Sequence, residues 1–274
     1  MSRGDELFPT AGDDTALTES ILSQLAAAGA DVETLTPQDI DVFEDLTVMG
    51  QEATLEMAAL AGIDEETHVL DLAAGLGVTA RTLAAEYGSR VTGVDLSTGF
   101  CHAATELTRR VGLDDRVSFH AEHALDLPFE DDTFDVVFMQ DLASDIEYKT
   151  ALAAEAHRVL APGGRLVVLE FVTGSVEPRL TQLPIARDGL SRSMASEETF
   201  LDVVRDAGFD VRHWLDTSIE AAEWYQTMIQ QVQTGDLPAV LDAVVRDDLV
   251  PLCRTTYRNL DEDRARLYMG LFEA

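Results

Sequence analysis

The sequence is poor in basic residues, and above all in lysine. Lys149 is the only lysine, the other 18 of the 19 basic residues are arginines, and 51 residues are acidic, so the 274-residue chain has a formal net charge of −32. A charge this negative repels the phosphate backbone of nucleic acids and the anionic surface of a membrane. We therefore expect neither nucleic acid nor membrane as a partner.

Cysteine and long apolar runs are also scarce. Cys101 and Cys253 are the only cysteines, which excludes a disulfide framework in a chain of this size. No apolar run approaches the roughly 18 residues that a membrane span needs. Residues 1–14 lack the apolar stretch of a signal peptide, so we expect a flexible tail there and a cytoplasmic protein.

The abundant carboxylates are spread over the whole chain, and 46% of the residues are hydrophobic. That share is enough for a sizeable core, and it argues against an intrinsically disordered chain. There is no acidic tail and no calcium-loop spacing, so we expect no metal site. The pattern resembles the surfaces of proteins from salt-accumulating halophiles, in which salt shortens the Debye length to about 3 Å near 1 M.

Short apolar segments alternate with segments of helical spacing through the first two thirds of the chain. This alternation predicts an α/β fold with a parallel sheet. The predicted strands are 68–72, 90–95, 117–120, 134–139, 165–171, 209–215 and 266–272. The predicted helices are 18–28, 50–62, 78–87, 97–111, 148–160 (closed by the Pro-Gly-Gly at 162–164), 196–207, 217–233 and 238–249.

One segment carries a recognisable ligand pattern. A strand that contains Asp71 leads through Gly75 and Gly77 into a helix, and Asp95 ends the next strand. Glycines at such a turn allow backbone N–H groups to approach a ligand at the positive end of a helix. An acid at the end of the second strand can accept both hydroxyls of a ribose. The pattern therefore predicts a cofactor that contains adenosine.

The spacing alone leaves a dinucleotide cofactor open. The third glycine of a dinucleotide fingerprint corresponds to Ala80, which is a permitted substitute. A short-chain dehydrogenase would also need a Tyr-x-x-x-Lys motif, whereas Lys149 directly follows Tyr148. A nicotinamide-dependent oxidoreductase therefore remains as an alternative, as does a cofactor-binding module without catalysis.

With four motifs in place, the chain resembles the class I S-adenosylmethionine-dependent methyltransferases. The motifs occupy 69–77, 91–97, 127–135 and 158–166. The resemblance implies a Rossmann-like, seven-stranded, mostly parallel sheet of order 3-2-1-4-5-7-6, with helices on both faces and a helical cap. It also implies S-adenosylmethionine as the cofactor and a set of cofactor-binding residues, namely Asp71, Ala73, Gly75, Gly77, Asp95, Leu96, His123, Ala124 and Gln140.

Within that set, the resemblance assigns groups of residues to parts of the cofactor. The first motif would hold the methionine end, Asp95 the ribose, and the pair His123-Ala124 the adenine. His123 stands where the family usually has aspartate. Gln140 matches the position that lines the methyl-transfer site.

The resemblance covers about residues 45 to 172, and we expect one domain over 15–274. Its parts would be an N-terminal cap at 15–45, a cofactor-binding core at 46–172, a lid or connection at 173–195 and a helical substrate cap at 218–262.

The acceptor is expected to be a small molecule. Segments 49–54 and 258–264 loosely resemble the glycine, sarcosine and dimethylglycine N-methyltransferases, and a quinone or another C- or O-acceptor is the alternative. Trp224, Tyr225 and Tyr257 are candidates for an aromatic wall, although core packing would explain them as well. Arg258 is a candidate for a substrate carboxylate, as are Arg187, Arg192 and Arg254. No catalytic residue is predicted, because the methyl donor is already activated.

Overall fold

The computed structural model of the chain describes residues 15–40, 43, 47–140, 142, 148–177, 194–234 and 249–274. The strands are β1 (His68–Leu72), β2 (Arg90–Asp95), β3 (Val117–Ala121), β4 (Phe134–Gln140), β5 (Leu160–Thr173), β6 (Asp210–Asp216) and β7 (Ala265–Glu273). The helices are α1 (Ala16–Ala27), α2 (Pro37–Ile40), α3 (Gly50–Ala61), α4 (Val78–Tyr87), α5 (Thr98–Arg110), α6 (Lys149–Val159), α7 (Glu197–Asp206), α8 (Ser218–Thr234) and α9 (Leu249–Asp261).

The strands form one seven-stranded sheet in the order β3-β2-β1-β4-β5-β7-β6. The pairs among β1 to β5 are parallel, and β7 runs antiparallel to both β5 and β6. This confirms the predicted order and the antiparallel last strand. The sequences of central strands such as β4 are largely continuous apolar runs, because helices cover both faces of these strands.

Alternate residues of each strand face opposite sides of the sheet. On one face, Val69 and Phe138 share an apolar cluster with residues of α3, α4, α8 and α9. On the other face, Leu70 and Val137 pack with residues of α6 and α7. The helices on both faces are therefore as predicted, and α8 and α9 lie on the same face as α3 and α4.

Helix α1 packs against α5 and against the turn that follows β1. Ile21 and Leu25 of α1 share a third cluster with Leu107 of α5 and with Leu76 of the turn that follows β1. The hydroxyl of Thr18 also lies 2.9 Å from Nδ1 of His102. These contacts fasten α1 to α5.

The structure differs from the predicted elements around the Pro-Gly-Gly segment. The prediction ends a helix at 160 and starts a strand at 165, whereas α6 ends at Val159 and β5 begins at once with Leu160. Leu160 pairs with Phe134 of β4. Gly164 then accepts a hydrogen bond from the backbone N–H of Ala274, at 2.9 Å. Pairing with the distant C-terminus keeps this glycine-rich stretch extended.

Two other predictions meet the structure only in part. Helix α9 lies where the sequence predicts a helical cap without a separate helix, and the predicted helix 238–249 lies outside the described residues apart from its last position. The tail 1–14 and most of the lid 173–195 also lie outside them. No helix among the described residues is both long and apolar enough to cross a membrane.

Candidate active site

The turn between β1 and α4 is built on left-handed backbone conformations. Ala73, Gly75 and Gly77 have φ values of 64°, 51° and 75°. A Cβ on Gly77 would lie 2.3 Å from the ring of Phe119, whereas a Cβ on Gly75 would meet nothing within 4 Å. Gly77 is therefore required by packing, while Gly75 leaves the outer side of the turn open for a ligand.

Asp95 ties the end of β2 to this turn. Its Oδ2 accepts a hydrogen bond from the Gly75 N–H and its Oδ1 accepts one from the Ser97 N–H, both at 2.9 Å. Burial raises the pKa of Asp95, and the backbone N–H groups partly offset that rise. Two carboxylate oxygens offer about four lone-pair positions, so acceptor capacity is left for a ligand. The next residue, Leu96, is 49% exposed and lies beside this carboxylate in the chain.

Asp71 is a buried carboxyl group on the neighbouring strand. It accepts a hydrogen bond from the Ala80 backbone N–H, but its Oδ2 has no partner among the described residues. Burial, and then the negative charge of Asp95, raise the pKa of Asp71 to about 8. A cationic ligand group beside it would favour the ionised form.

Gln140 ends β4 on the same face of the sheet as Asp71. Its Oε1 accepts hydrogen bonds from the hydroxyls of Thr79, at 2.8 Å, and Thr54, at 3.4 Å. Its Nε2 is buried and has no hydrogen-bond partner within the described parts of the chain. Neither threonine was predicted as a site residue. Thr54 ends the segment 49–54 already noted, and Thr79 lies in the first turn of α4, just after the glycine motif.

The predicted adenine pair lies beyond β3. The side chain of His123 is exposed, and its Nδ1 accepts a hydrogen bond from the Leu125 N–H at 3.1 Å. The His123 ring thus stabilises a local turn. Ala124 is half-buried and packs against the apolar cluster on the opposite face from Asp71. The Glu122 N–H donates to the Asp95 carbonyl at 3.1 Å, which keeps this segment beside the end of β2.

The predicted acceptor residues lie on α8 and α9. Tyr225 is buried, Trp224 is half-buried, and their ring centroids are 4.9 Å apart. Both belong to the cluster that also contains Phe138. Tyr257 borders an open groove of about 290 Å³ between α8 and α9, and none of the residues that line it belongs to the predicted cofactor set.

The predicted carboxylate-binding arginines are less favourably placed. Arg258 is exposed and forms an i,i+4 ion pair with Glu262 at 2.8 Å, so its guanidinium already has a partner. Its role toward a substrate stays a prediction. Arg254 is exposed on α9, and Arg187 and Arg192 lie outside the described residues.

The structure thus gathers Asp71, the glycine turn, Asp95 and Gln140 at the carboxyl ends of adjacent strands. In open α/β sheets, ligands bind in this position, beyond the carboxyl ends of the strands. The sheet order with its antiparallel β7, together with this edge, defines the class I methyltransferase fold.

Comparison with known proteins agrees with that class. Residues 70–168 match the family model described as a methyltransferase domain. A demethylmenaquinone methyltransferase from Clavibacter sepedonicus is 34% identical over 188 residues, which are 68% of this chain and 70% of that protein. The glycine/sarcosine/dimethylglycine N-methyltransferase of Actinopolyspora halophila is 36% identical over 132 residues, which are 48% of this chain but 22% of that protein.

Among solved structures, phosphoethanolamine N-methyltransferase 2 of Haemonchus contortus in complex with S-adenosylhomocysteine has the same fold. Its TM-score is 0.72 at 22% identity, over 85% of this chain and 55% of that one. The chain belongs to the S-adenosylmethionine-dependent methyltransferases of small molecules, and S-adenosylmethionine is its cofactor.

Proposed function

We propose that the methyl acceptor is the amine of a small amino acid such as glycine, sarcosine or dimethylglycine. The observation that carries this proposal is that the hydrogen-bond partners of the Gln140 side chain are hydroxyl groups. Its partners among the described residues are two hydroxyls, those of Thr54 and Thr79, and neither is a base at neutral pH. A free-base amine needs no base, because its own lone pair attacks the methyl carbon.

We further propose that the edge residues hold the cofactor as the motifs predict. Asp95 would accept the ribose hydroxyls with the lone pairs that its backbone hydrogen bonds leave available. Leu96, exposed beside it, and the His123-Ala124 segment would border the adenine. Asp71 would face the cationic methionine end, which is supported by its buried oxygen without a partner among the described residues. When bound, the cofactor supplies a methyl group that is already activated by its sulfonium.

The protein's own part in the reaction is then to hold and orient its ligands. Orientation and exclusion of water account for much of the rate in such transfers. We propose that segment 218–262, with Trp224, Tyr225 and Tyr257, covers the acceptor. The half-buried ring of Trp224, on the same face of the sheet as Gln140, supports this placement.

A quinone is the second candidate acceptor. It is favoured by the match to a demethylmenaquinone methyltransferase, which extends over more of both chains than the match to the amino-acid N-methyltransferase. Methylation would then occur on carbon, or on oxygen in a related metabolite.

The setting of the enzyme is part of the proposal. The net charge of −32 supports work in a salt-rich cytoplasm on acceptors other than nucleic acids, since a polyanionic acceptor would be repelled. In dilute buffer the same charge would loosen the fold.

The experiment is a transfer assay in molar KCl with labelled S-adenosylmethionine. Glycine, sarcosine and dimethylglycine are compared with a short-chain demethylmenaquinone analogue, and Asp95→Ala serves as the cofactor-site control. The proposal is supported if the wild type transfers label to the amino acids and Asp95→Ala does not. Label in the quinone with none in any of the three amines would overturn it and favour the second candidate.

A further inference from the structure

The amide of Gln140 is held in one orientation. Two hydroxyl groups donate to its Oε1, from Thr79 at 2.8 Å and from Thr54 at 3.4 Å. Both threonines are buried. Because the oxygen end is engaged, the other end of the amide presents only N–H donors. That end, Nε2, is buried without a partner in the described part of the chain.

Asp71 presents the complementary group. Asp71 is in register with Phe138 of β4, two residues before Gln140, so the two polar side chains leave the sheet on the same face. A strand spacing of about 4.8 Å and a rise of about 3.3 Å per residue put their Cα atoms roughly 8 Å apart. Side chains at this separation can reach two ends of one small group.

A buried donor and a buried acceptor that both lack partners reduce stability unless a ligand satisfies them. Once its carboxyl group is ionised, Asp71 offers Oδ2 as an acceptor, and Nε2 of Gln140 donates. An α-amino acid group is complementary to this pair, because its ammonium donates and its carboxylate accepts. The methyl donor carries such a group at its methionine end.

We infer that Thr54 and Thr79 are positioning residues for the methyl donor. Their hydroxyls orient the Gln140 amide so that its N–H donors face the carboxylate of the donor's amino-acid end. Asp71 faces the ammonium of the same group. This inference rests on the proposed placement of S-adenosylmethionine at the carboxyl edge of the sheet.

The two threonines contribute unequally. The 2.8 Å bond from Thr79 has the usual length of an O–H···O hydrogen bond, whereas 3.4 Å from Thr54 is long. Thr79 therefore carries most of the orientation, and Thr54 adds to it.

The test is calorimetric titration with two ligands. S-adenosylhomocysteine has the amino-acid end, whereas methylthioadenosine keeps the adenosine and the thioether but has neither carboxylate nor ammonium. The variants are Thr79→Val, Thr79→Ser, Thr54→Val and Gln140→Glu, with Thr82→Val as the matched control, since Thr82 is a buried threonine of the same helix. Thermal melting confirms that each variant is folded.

For Thr79→Val we expect the Kd of S-adenosylhomocysteine to rise about 5- to 10-fold, because an oriented hydrogen bond to a charged group is lost. Gln140→Glu replaces the N–H donors of the side chain by a carboxylate, so it should raise the Kd of S-adenosylhomocysteine by about tenfold or more. Thr54→Val should have a smaller effect, whereas Thr79→Ser and Thr82→Val should bind like the wild type. Methylthioadenosine should bind all of these variants equally well.

Three results would overturn the inference. The first is unchanged affinity for S-adenosylhomocysteine in Thr79→Val and Gln140→Glu. The second is equal weakening of both ligands, which would indicate a general structural role. The third is weaker binding of S-adenosylhomocysteine to Thr79→Ser than to the wild type. Asp95→Ala tests the proposed placement of the cofactor separately from the role of the threonines. Loss of the ribose contact should weaken the binding of both ligands. Unchanged binding of both ligands to Asp95→Ala would count against the placement alone.

Discussion

The carboxyl edge of the sheet and the helical cap differ in whether their polar groups have partners. At the edge, Asp71 Oδ2 and Gln140 Nε2 are buried and have no partners among the described residues. On the cap, Arg258 pairs with Glu262, and the Tyr257 hydroxyl lies 3.5 Å from Asp261. Buried groups left without partners indicate a ligand, whereas exposed pairs satisfy each other in water. The proposed place of the methyl donor therefore has more structural support than that of the acceptor.

The largest expected effect comes from removing the proposed ribose contact. Asp95→Ala should raise the Kd of S-adenosylhomocysteine by about 100-fold or more, because it removes two hydrogen bonds to a carboxylate that are each worth about 1.5–3 kcal/mol. Titration calorimetry measures the Kd.

Arg258→Ala is the matched change on the cap. Its exposed i,i+4 pair contributes only about 0.3–0.5 kcal/mol to stability. Because so little energy is lost, the Kd of S-adenosylhomocysteine should stay within about twofold of the wild-type value. Equal Kd values for Asp95→Ala and the wild type would remove the contrast between the two regions.

The next effect concerns the packing beneath the glycine turn. Gly77→Ala should reduce the free energy of unfolding by about 2–3 kcal/mol, because the new Cβ overlaps the Phe119 ring in addition to the cost of a positive φ. Urea unfolding gives the value.

Gly112→Ala provides the control, because Gly112 has a φ of 72° and nothing within 4 Å of an added Cβ. It should lose about 1 kcal/mol, from the backbone alone. Equal losses at the two glycines would show that Phe119 gives way at no cost.

Salt should act on the solvated carboxylates. We expect the melting temperature to rise by at least about 5 °C between dilute buffer and molar KCl, equivalent to roughly 1–2 kcal/mol, as the repulsion within a chain of net charge −32 is screened. Differential scanning calorimetry measures this. Sucrose at matched osmolality is the control, and a melting temperature that is flat or falls with KCl would contradict the halophilic interpretation.

The pH dependence should report on Asp71. Its folded pKa of about 8 lies above the ordinary value of 3.8. The stability that this difference contributes is fully present below the unfolded pKa and is lost as the pH rises through about 8. A cationic ligand favours the ionised carboxyl, so donor affinity should instead rise with pH, by up to roughly tenfold per unit below the pKa.

Calorimetry of S-adenosylhomocysteine between pH 6 and 8, in buffers of different ionisation enthalpy, measures both the affinity and the released proton. Asp71→Asn should abolish the proton release. If the wild type binds equally well across this range without releasing a proton, Asp71 does not face a cation.

The sequence predicted those parts of the fold whose signals are local. The strands at 68–72 and 90–95 have the predicted bounds, because each is a short valine-containing run between segments of helical spacing. The extension of β5 back to Leu160 depends on pairing with Phe134 and with the C-terminus, and no local pattern records that pairing.

The same distinction applies to the site. Asp71, Gly75 and Asp95 belong to a motif with fixed spacing and could be predicted. Thr54 and Thr79 meet only because α3 and α4 pack on the same face of the sheet, so their convergence on Gln140 is a tertiary property. A threonine in a helix has no sequence signal for such a role.

The most direct test is a crystal structure of the protein with S-adenosylhomocysteine. The account predicts the ribose hydroxyls on the Asp95 carboxylate, the ammonium at Asp71 and the ligand carboxylate on Nε2 of Gln140, at hydrogen-bond distances of about 3 Å. A ligand bound elsewhere, or one whose amino-acid end points away from Asp71 and Gln140, would contradict it.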